Sequence, residues 1–519
     1  MSEKRGAARV LVVGAGICGL AAAGFLKQSG RSVLVVERAA ALDAAPGMQL
    51  HSNALKVLGS LGLDAGLIRQ GVVLQRARLL GASGKALSEV SFQGEIARGL
   101  LTVGVHHDRV VAALRGKLGE GEVRLGLTVS SMNVGPDHVD AYFSDGGHER
   151  FALVVGADGA RSRVRELLVG PRAARHCGAV CWRSVVPRPA ALRPDEAGEL
   201  LGVGARVGWV PLGDGQVYAY FTLAAPRQDE AQLRGLDAAG VRGHFESLGG
   251  PVGELLAALP PGPLPFEPIE DLWVDGWYRG RIVLLGDAAH AMTPDLAQGS
   301  AMALEDAKAL QFCLDQGASM ADGLAAYQAL RQGRVRAIHD ASFDAGKVHQ
   351  WTSAAAVSFR NLLYRVMPAG ASRARLRALI DGGTQERDFL SHRPDLPPLS
   401  EASLRLVRFL VKLSQLDGRF DDDERGFIQA SLREQGEHVG LDQLEALSRE
   451  LHRAPLSEVL APFVGGDAAT HERLLELGYL VALANGRVAP RERQALAEVC
   501  RVFGLPPEAL ARVIAAADG

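Results

Sequence analysis

Apolar runs along this chain repeatedly stop at a glycine and an acid. Residues 8–13 are largely apolar and enter Gly14-Ala15-Gly16-Ile17-Cys18-Gly19. They read as a buried parallel strand, with residues 19–28 as the helix behind it. A second run, 32–36, ends at Glu37. Residues 151–155 feed Gly156-Ala157-Asp158-Gly159, and residues 281–285 feed Gly286-Asp287-Ala288-Ala289-His290. In open α/β sheets, ligands bind at such turns, where backbone N–H groups and carboxylates converge beyond the strand ends. Between the second and third turns the rhythm changes. Residues 178–186, 206–210 and 216–222 are short β-prone runs separated by Pro and Gly, and 72–80 with 86–92 look like an earlier hairpin of the same sheet. From 404 to 516 charged and apolar residues alternate at helical spacing instead.

The first turn carries its own chemistry. Gly14 permits the tight turn, Gly16 lets a diphosphate approach the backbone, and Gly19 lets the helix pack on the sheet. Ala15 lies between them, and N–H groups at the helix start are left to face an anion. Glu37, at the end of the second strand, is placed to accept hydrogen bonds from ribose hydroxyls. Arg38 either contacts the ligand or faces solvent. Asp158 and Asp287 sit in turns after strands, where acids also serve simply to form the turn.

A chain of 519 residues is too long for one ordinary core, so two or three domains are expected. Fifty-seven basic residues spread among fifty-nine acidic ones make no nucleic-acid footprint. The five cysteines, Cys18, Cys177, Cys181, Cys313 and Cys500, are odd in number and scattered, which argues against a secreted disulfide scaffold. Cys177 and Cys181 have no second ligand pair nearby, so no structural metal is expected. The first apolar stretch is broken by its glycines and reads as strand and helix, neither a signal peptide nor a transmembrane segment. A cytoplasmic location is the default.

Over about residues 6–375 the chain resembles the single-component, class A flavoprotein monooxygenases, a family of aromatic hydroxylases and zeaxanthin-epoxidase-like enzymes. The resemblance is carried by the three turns and by Arg161, Ser162 and Arg165 after Asp158-Gly159. It continues in Pro294-Asp295-Leu296-Ala297-Gln298-Gly299-Ser300, Glu305-Asp306-Ala307 and Gly47-Met48-Gln49-Leu50-His51-Ser52-Asn53-Ala54-Leu55. It implies that the first turn binds the ADP part of FAD, that Asp158-Gly159 serves FAD and the nicotinamide cofactor, and that Gly286-Asp287 reaches the ribityl and diphosphate region. It further assigns Gln49, Val129, Pro294, Ala297, Gln298, Gly299 and Ser300 to the cofactor site. His51, Trp182, Arg183 and Pro294 become substrate-pocket candidates, each with a plainer reading as core or ion-pair residue. Two departures stand out. The family usually has Gly where this chain has Ala297, which Ala tolerates unless the backbone requires positive φ. His107 occupies the position of an FAD-contacting Arg, with Arg109 as a neighbour able to compensate only along a different path.

The implied fold is an α/β Rossmann-type FAD-binding domain (1–71, 101–170, 275–390) with an inserted α+β substrate domain (72–100, 171–274). A linker (391–403) and an all-α C-terminal domain (404–519) follow. The implied function is an NADPH- or NADH-dependent FAD monooxygenase. A hydride reduces FAD, O2 forms a C4a-hydroperoxide, and one oxygen passes to an aromatic substrate while the other leaves as water. No side chain is required as a certain acid–base catalyst. Alkene or isoprenoid epoxidation, an FAD-dependent reductase or dehydrogenase, and a non-catalytic flavin-binding interaction protein stay open as alternatives.

The tail contains an internal repeat. Leu413-Ser414-Gln415-Leu416-Asp417-Gly418-Arg419-Phe420 precedes Glu424-Arg425, and Val481-Ala482-Leu483-Ala484-Asn485-Gly486-Arg487-Val488 precedes Glu492-Arg493. Each reads as a helix, an Asx-Gly turn and a second helix opened by acids or proline. This resembles the small helical TerB-like tellurite-resistance family. Asp417, Asp421, Asp422, Asp423 and Glu424 miss the EF-hand spacing, so helix capping explains them better than a cation. The domain is expected to bind a protein partner or to mediate self-association.

Overall fold

The computed structural model describes residues 9–42, 46–93, 96, 100–366, 399–416, 420, 422–434, 439, 441–484, 488–506 and 508–518. The chain forms two compact units, one of residues 1–63, 67–90 and 102–390, the other of residues 64–66, 91–101 and 391–519.

At the centre of the larger unit is a six-stranded sheet ordered Tyr278–Arg279, Ile282–Leu284, Leu153–Gly156, Val10–Val13, Val33–Glu37, Val123–Leu125. All pairings are parallel except that of the first two strands. Val12 lies between Val35 and Val155. Every side chain of Val10–Val13 is buried, as a strand covered on both faces requires. The helix Ile17–Gln28 follows at once, so the first turn, the 156–159 turn and the 286–290 turn all lie at the same end of neighbouring strands.

The second sheet has seven strands, ordered Phe266–Asp271, Arg175–Pro187, Gln216–Ala224, Ala205–Pro211, Glu196–Leu201, Arg76–Gly81, Ala86–Ser91. The three β-prone runs and most of the early hairpin fall within it, but Val72–Val73 instead pairs with Thr102–Val105 in a separate three-stranded sheet. Glu196–Leu201 does not announce itself, because Glu-Ala-Gly-Glu-Leu-Leu lacks strand alternation. Pairing with Ala205–Pro211 on one side and Arg76–Gly81 on the other fixes it as a strand. The two faces of this sheet differ. One carries Val180, Trp182, Val186, Val207, Trp209, Val217, Ala219 and Phe221, packed with Val241, Phe245, Val252 and Leu255 of the helices that follow the sheet. The other carries Cys181, Arg183, Tyr218, Tyr220, Glu199 and Arg206.

The smaller unit is helical from Glu401 onward, and its core is its own: Leu406, Val407, Phe409, Leu410, Leu413, Ile428, Leu432, Leu475, Val481, Leu496 and Val499 are among its buried members. Glu401–Ser414 crosses Ala468–Leu483 closely at Gly478, where a Cβ would come 2.8 Å from Leu413 Cδ1. Residues 417–419, 421 and 485–487 of the repeat, and the side chains of Asp422 and Asp423, lie outside the described residues. Glu424 and Glu492, at the same place in the two repeats, are both fully buried. Glu492 Oε2 accepts from the Ala489 N–H at 2.7 Å, a helix-start cap of the predicted kind. Among the described residues no group of three His, Cys, Asp or Glu side chains is arranged to hold a metal ion. No described helix is long and apolar enough to cross a membrane.

Candidate functional site

The first turn separates its glycines by role. Gly14 has φ of 104°, and a Cβ there would stand 2.3 Å from the Ala157 carbonyl. At Gly19 a Cβ would stand 1.9 Å from the Gly14 carbonyl. Both are demanded by the fold itself. At Gly16 a Cβ would meet nothing within 4 Å, so the recess in front of it is open. The helix behind begins with no side-chain cap and no acid in its first turn. A cradle of this kind suits a diphosphate. Glu37 Oε2 accepts from the Ala15 N–H at 2.9 Å and its Oε1 from the Ala39 N–H at 3.0 Å. The carboxylate is thereby fixed at the mouth of the recess, with Arg38 exposed beside it.

Asp158 turns out to be a helix cap. It accepts from Ser162 Oγ at 2.5 Å and from the N–H groups of Arg163 and Val164 at 2.6 and 3.1 Å. Burial pushes its carboxyl upward against these bonds. Gly159 follows with φ of 77°. Arg165, buried, donates to the carbonyls of Ala160 and Ala288 and so ties this turn to the next. Gly286 has φ of 56° and ψ of −139°, a conformation essentially confined to glycine. Its neighbour Asp287 is exposed, whereas Asp158 is half-buried and spent on the helix cap. The surrounding protein still raises its pKa, with His290 pulling the other way. An exposed acceptor beside a glycine turn fits the ribityl hydroxyls of FAD, while backbone N–H groups suit its diphosphate.

Two acids from Glu305-Asp306-Ala307 hold the assembly together. Asp306 accepts from the Gly286 N–H at 3.0 Å, His290 Nε2 at 2.6 Å and Arg331 Nε at 2.9 Å. Glu305 accepts from Asn53 Nδ2 at 2.8 Å and pairs with Arg331 and Arg334 at 2.7 and 3.1 Å. Burial opposes ionisation of both acids, but the facing cations prevail and hold both pKa values below normal. His290 therefore supports the loop. Arg331 and Arg334 were not singled out from the sequence; they lie three apart on the long helix Met320–His349.

The loop of residues 294–300 meets the exception named for Ala297. Ala297 adopts φ of 51° and ψ of 31°, the left-handed conformation in which glycine is at home, so alanine is strained here. Pro294 is exposed on the open side. Gln298 is buried, with its side chain held by Asn53 Nδ2 at 2.9 Å, leaving only its backbone for a ligand. Gly299 and Ser300 open the helix Gly299–Gln316, half-buried. Val129 buries its side chain in a strand, so it too offers only main chain. His107 is half-buried at the start of a helix, burial lowers its pKa, and its Nδ1 has no hydrogen-bond partner. Arg109 does not replace it. That guanidinium is engaged by the Gln70 carbonyl and by Asp214.

On the substrate side, Trp182 leaves the list of pocket candidates. Its indole is fully buried in the apolar face of the seven-stranded sheet, edge-on to Phe245 and Phe266. The neighbouring Arg183 points the opposite way, as strand alternation dictates, and pairs with Glu267 at 3.1 Å near Tyr218. Gly47 lies directly under Tyr218, where a Cβ would stand 2.7 Å from the Tyr218 Cβ, so this face meets the 47–51 segment. In that segment Gln49 and His51 share one side of the strand Met48–His51. His51 is buried, hydrogen-bonded to Thr102 Oγ1 at 3.1 Å, and burial lowers its pKa to about 4.

Sequence reasoning missed the strut that joins the two layers. Arg206, nearly fully buried, pairs with Asp295 at 2.5 Å and Glu199 at 3.4 Å. Tyr220 Oη donates to Glu199 at 2.8 Å, and His349 Nδ1 lies 3.6 Å from the same carboxylate. The one signal was a charged residue inside the otherwise apolar Ala205–Pro211. Through Asp295 this network reaches the loop that carries Ala297.

Comparisons agree with this geometry. Residues 7–342 match a family described as FAD binding domain, and residues 403–515 match tellurite resistance protein TerB. The 2-heptyl-3-hydroxy-4(1H)-quinolone synthase of Pseudomonas aeruginosa is 39% identical over 73% of this chain and 98% of its own. The aurachin C monooxygenase/isomerase of Stigmatella aurantiaca is 33% identical over 71% of this chain and 96% of its own. A solved structure of Klebsiella pneumoniae HpxO with FAD and uric acid superposes with a TM-score of 0.68 at 28% identity, covering 73% of this chain and 98% of that one. Fold and site thus define a flavin-dependent monooxygenase of the aromatic-hydroxylase type. The chain belongs to the FAD-binding family of these enzymes and ends in a TerB domain.

Proposed function

We propose that the enzyme hydroxylates a ring carbon of a fused, carbonyl-bearing nitrogen heterocycle of the 4-quinolone class. Support comes from the relative at 39% identity, whose name is that of a 3-hydroxy-4(1H)-quinolone synthase, aligned over 98% of its length. The observation that carries the reading is the polar face of the seven-stranded sheet, where Arg183 and Tyr218 lie on the same side as Arg206, whose partner Asp295 belongs to the loop of Pro294. A guanidinium and a phenol there would fix a ring carbonyl and deprotonated ring nitrogen. Bound FAD, reduced by NADH or NADPH, would supply the activation of O2. The chain would hold it through Gly14, Gly16, Gly19, Glu37, Asp287 and the backbone of residues 297–300. Asp158-Gly159 would act by shaping the neighbouring turn. We place the enzyme in the cytoplasm, where the nicotinamide cofactor is supplied, and assign the TerB domain to a protein partner or to self-association.

The test is product analysis with NADH and NADPH against a 2-alkyl-4-quinolone, urate and 3-amino-4-hydroxybenzoate. The quinolone should gain one oxygen atom with matching nicotinamide consumption, and Arg183→Met should raise KM at least tenfold with little change in flavin content. Oxygen transfer to another of the three would replace the quinolone reading. Nicotinamide oxidation without any oxygenated product would point to a reductase.

A further inference from the structure

Tyr218 and Tyr220 lie on the same face of the seven-stranded sheet, two residues apart on one strand, yet they are held differently. Tyr220 is paired with Gly208 on one side and with Arg183 on the other. Its hydroxyl donates at 2.8 Å to Glu199, which belongs to the strand beyond Gly208. Neighbouring strands are about 4.8 Å apart, so a phenol that reaches two strands away lies along the sheet instead of standing on it. Gly208 makes that posture possible, because a Cβ there would overlap Tyr220 Cζ and Oη. The same device occurs on the opposite face, where a Cβ at Gly198 would overlap the Trp209 ring. Trp209 is sealed into the apolar core, whereas Tyr220 is only half-buried and keeps part of its phenol uncovered.

The acid that pins the phenol is itself fixed, by Arg206 at 3.4 Å and by His349 Nδ1 at 3.6 Å. Arg206 Cζ stands 5.9 Å from the centre of the Tyr220 ring and its guanidinium pairs with Asp295, so the loop of residues 294–300 meets this face close to the ring. By leaning across Gly208 toward Glu199, Tyr220 turns away from Arg183 and clears the space beside that guanidinium. A glycine inside a strand ordinarily weakens it and marks a place that another group approaches closely. We propose that Gly208 and Tyr220 together select a flat substrate, the phenol serving as the floor on which the fused ring stacks beside Arg183 and Tyr218. Tyr220 contributes its face, its hydroxyl being spent on Glu199. A side chain at position 208 pushes the phenol up into the space of the ring. Loss of the phenol leaves a hollow that a puckered ring fills as well as a flat one. The role is one of shape selection, and it rests on the reading of Arg183 and Tyr218 as the substrate side.

Titration of the oxidised, FAD-loaded protein tests it, with binding read from the perturbed flavin absorbance and not from turnover. The ligands are a 2-alkyl-4-quinolone and its 2,3-dihydro counterpart, whose saturated carbons pucker the ring. The wild type should prefer the flat ring by about tenfold, the scale of one aromatic stacking contact. Tyr220→Leu should bring that ratio close to one, whereas Tyr220→Phe keeps the floor and should retain most of it. Gly208→Ala should weaken binding of the flat ring about tenfold, and the same change beside Tyr220→Leu should cost little, with no phenol left to displace. A preference that survives Tyr220→Leu overturns the proposal, as do equal wild-type affinities for the two rings or an undiminished cost of Gly208→Ala without the phenol. Should Gly208→Ala fail to fold, the leucine and phenylalanine variants decide the matter. If the wild type binds urate or 3-amino-4-hydroxybenzoate and neither quinolone, the quinolone reading alone falls. The floor is then judged on that ligand, where equal affinity in Tyr220→Leu and Tyr220→Phe overturns it. Binding of none of these flat rings overturns both.

Discussion

Ala297 holds the left-handed conformation that its Cβ disfavours by about 1–2 kcal/mol. Ala297→Gly removes that penalty but adds the backbone entropy of glycine, so a net stabilisation of about 0.5–1 kcal/mol is expected. Chemical denaturation of the flavin-containing unit measures it, and a lower midpoint in the variant would mean the loop is not strained by alanine. His51 tells a different story. Its folded pKa of about 4 lies below the ordinary 6.5, so the unfolded chain takes up the proton first. The contribution to stability is fully present above pH 6.5 and is lost as pH falls toward 4, by about 3 kcal/mol in all. His51→Gln, which keeps a partner for Thr102, should flatten the stability profile between pH 6.5 and 4.5; an unchanged slope would assign the titration to another group. Single residues were the part of the site least legible in the sequence. Gly14 and Gly19 were readable because their places are set by local backbone geometry. Trp182 misled, since nothing local says which side of a strand faces a ligand and which faces a core.

At the scale of elements, the strut Arg206–Asp295 connects the seven-stranded sheet to the loop beside Pro294. Removing one partner leaves a buried charge without its counterion, so Arg206→Met should destabilise by about 3–5 kcal/mol. Arg206→Met/Asp295→Leu should recover part of the loss, with Glu199 limiting the recovery. Additive effects in that double-mutant cycle would show that the two side chains do not act as a pair. The strands themselves were largely legible, because alternating or continuous apolar runs between turns leave few alternatives. Glu196–Leu201 was not, for a physical reason. A strand flanked on both sides can be recruited by its neighbours' backbone groups whatever its own side chains prefer. Arg206 was hidden for a related reason, since its partner Asp295 is 89 positions away and only the fold brings them together.

For the molecule as a whole, the smaller unit has a core composed of its own helices. Calorimetry should therefore resolve two unfolding transitions. Added FAD at about a hundred times its Kd should raise only the larger unit's transition, by about 2.7 kcal/mol in stability. A single transition that moves as one with FAD would show that the units unfold together. Domain order was legible from the change in rhythm at residue 404. The division of labour within the seven-stranded sheet has a longer reach. Arg183 and Tyr218 share one face, and the large apolar core of the sheet lies on the other. With that polar face turned to the substrate, as proposed, drift at those two positions leaves the apolar core untouched, so a lineage of such enzymes can diversify its diet without passing through misfolded ancestors.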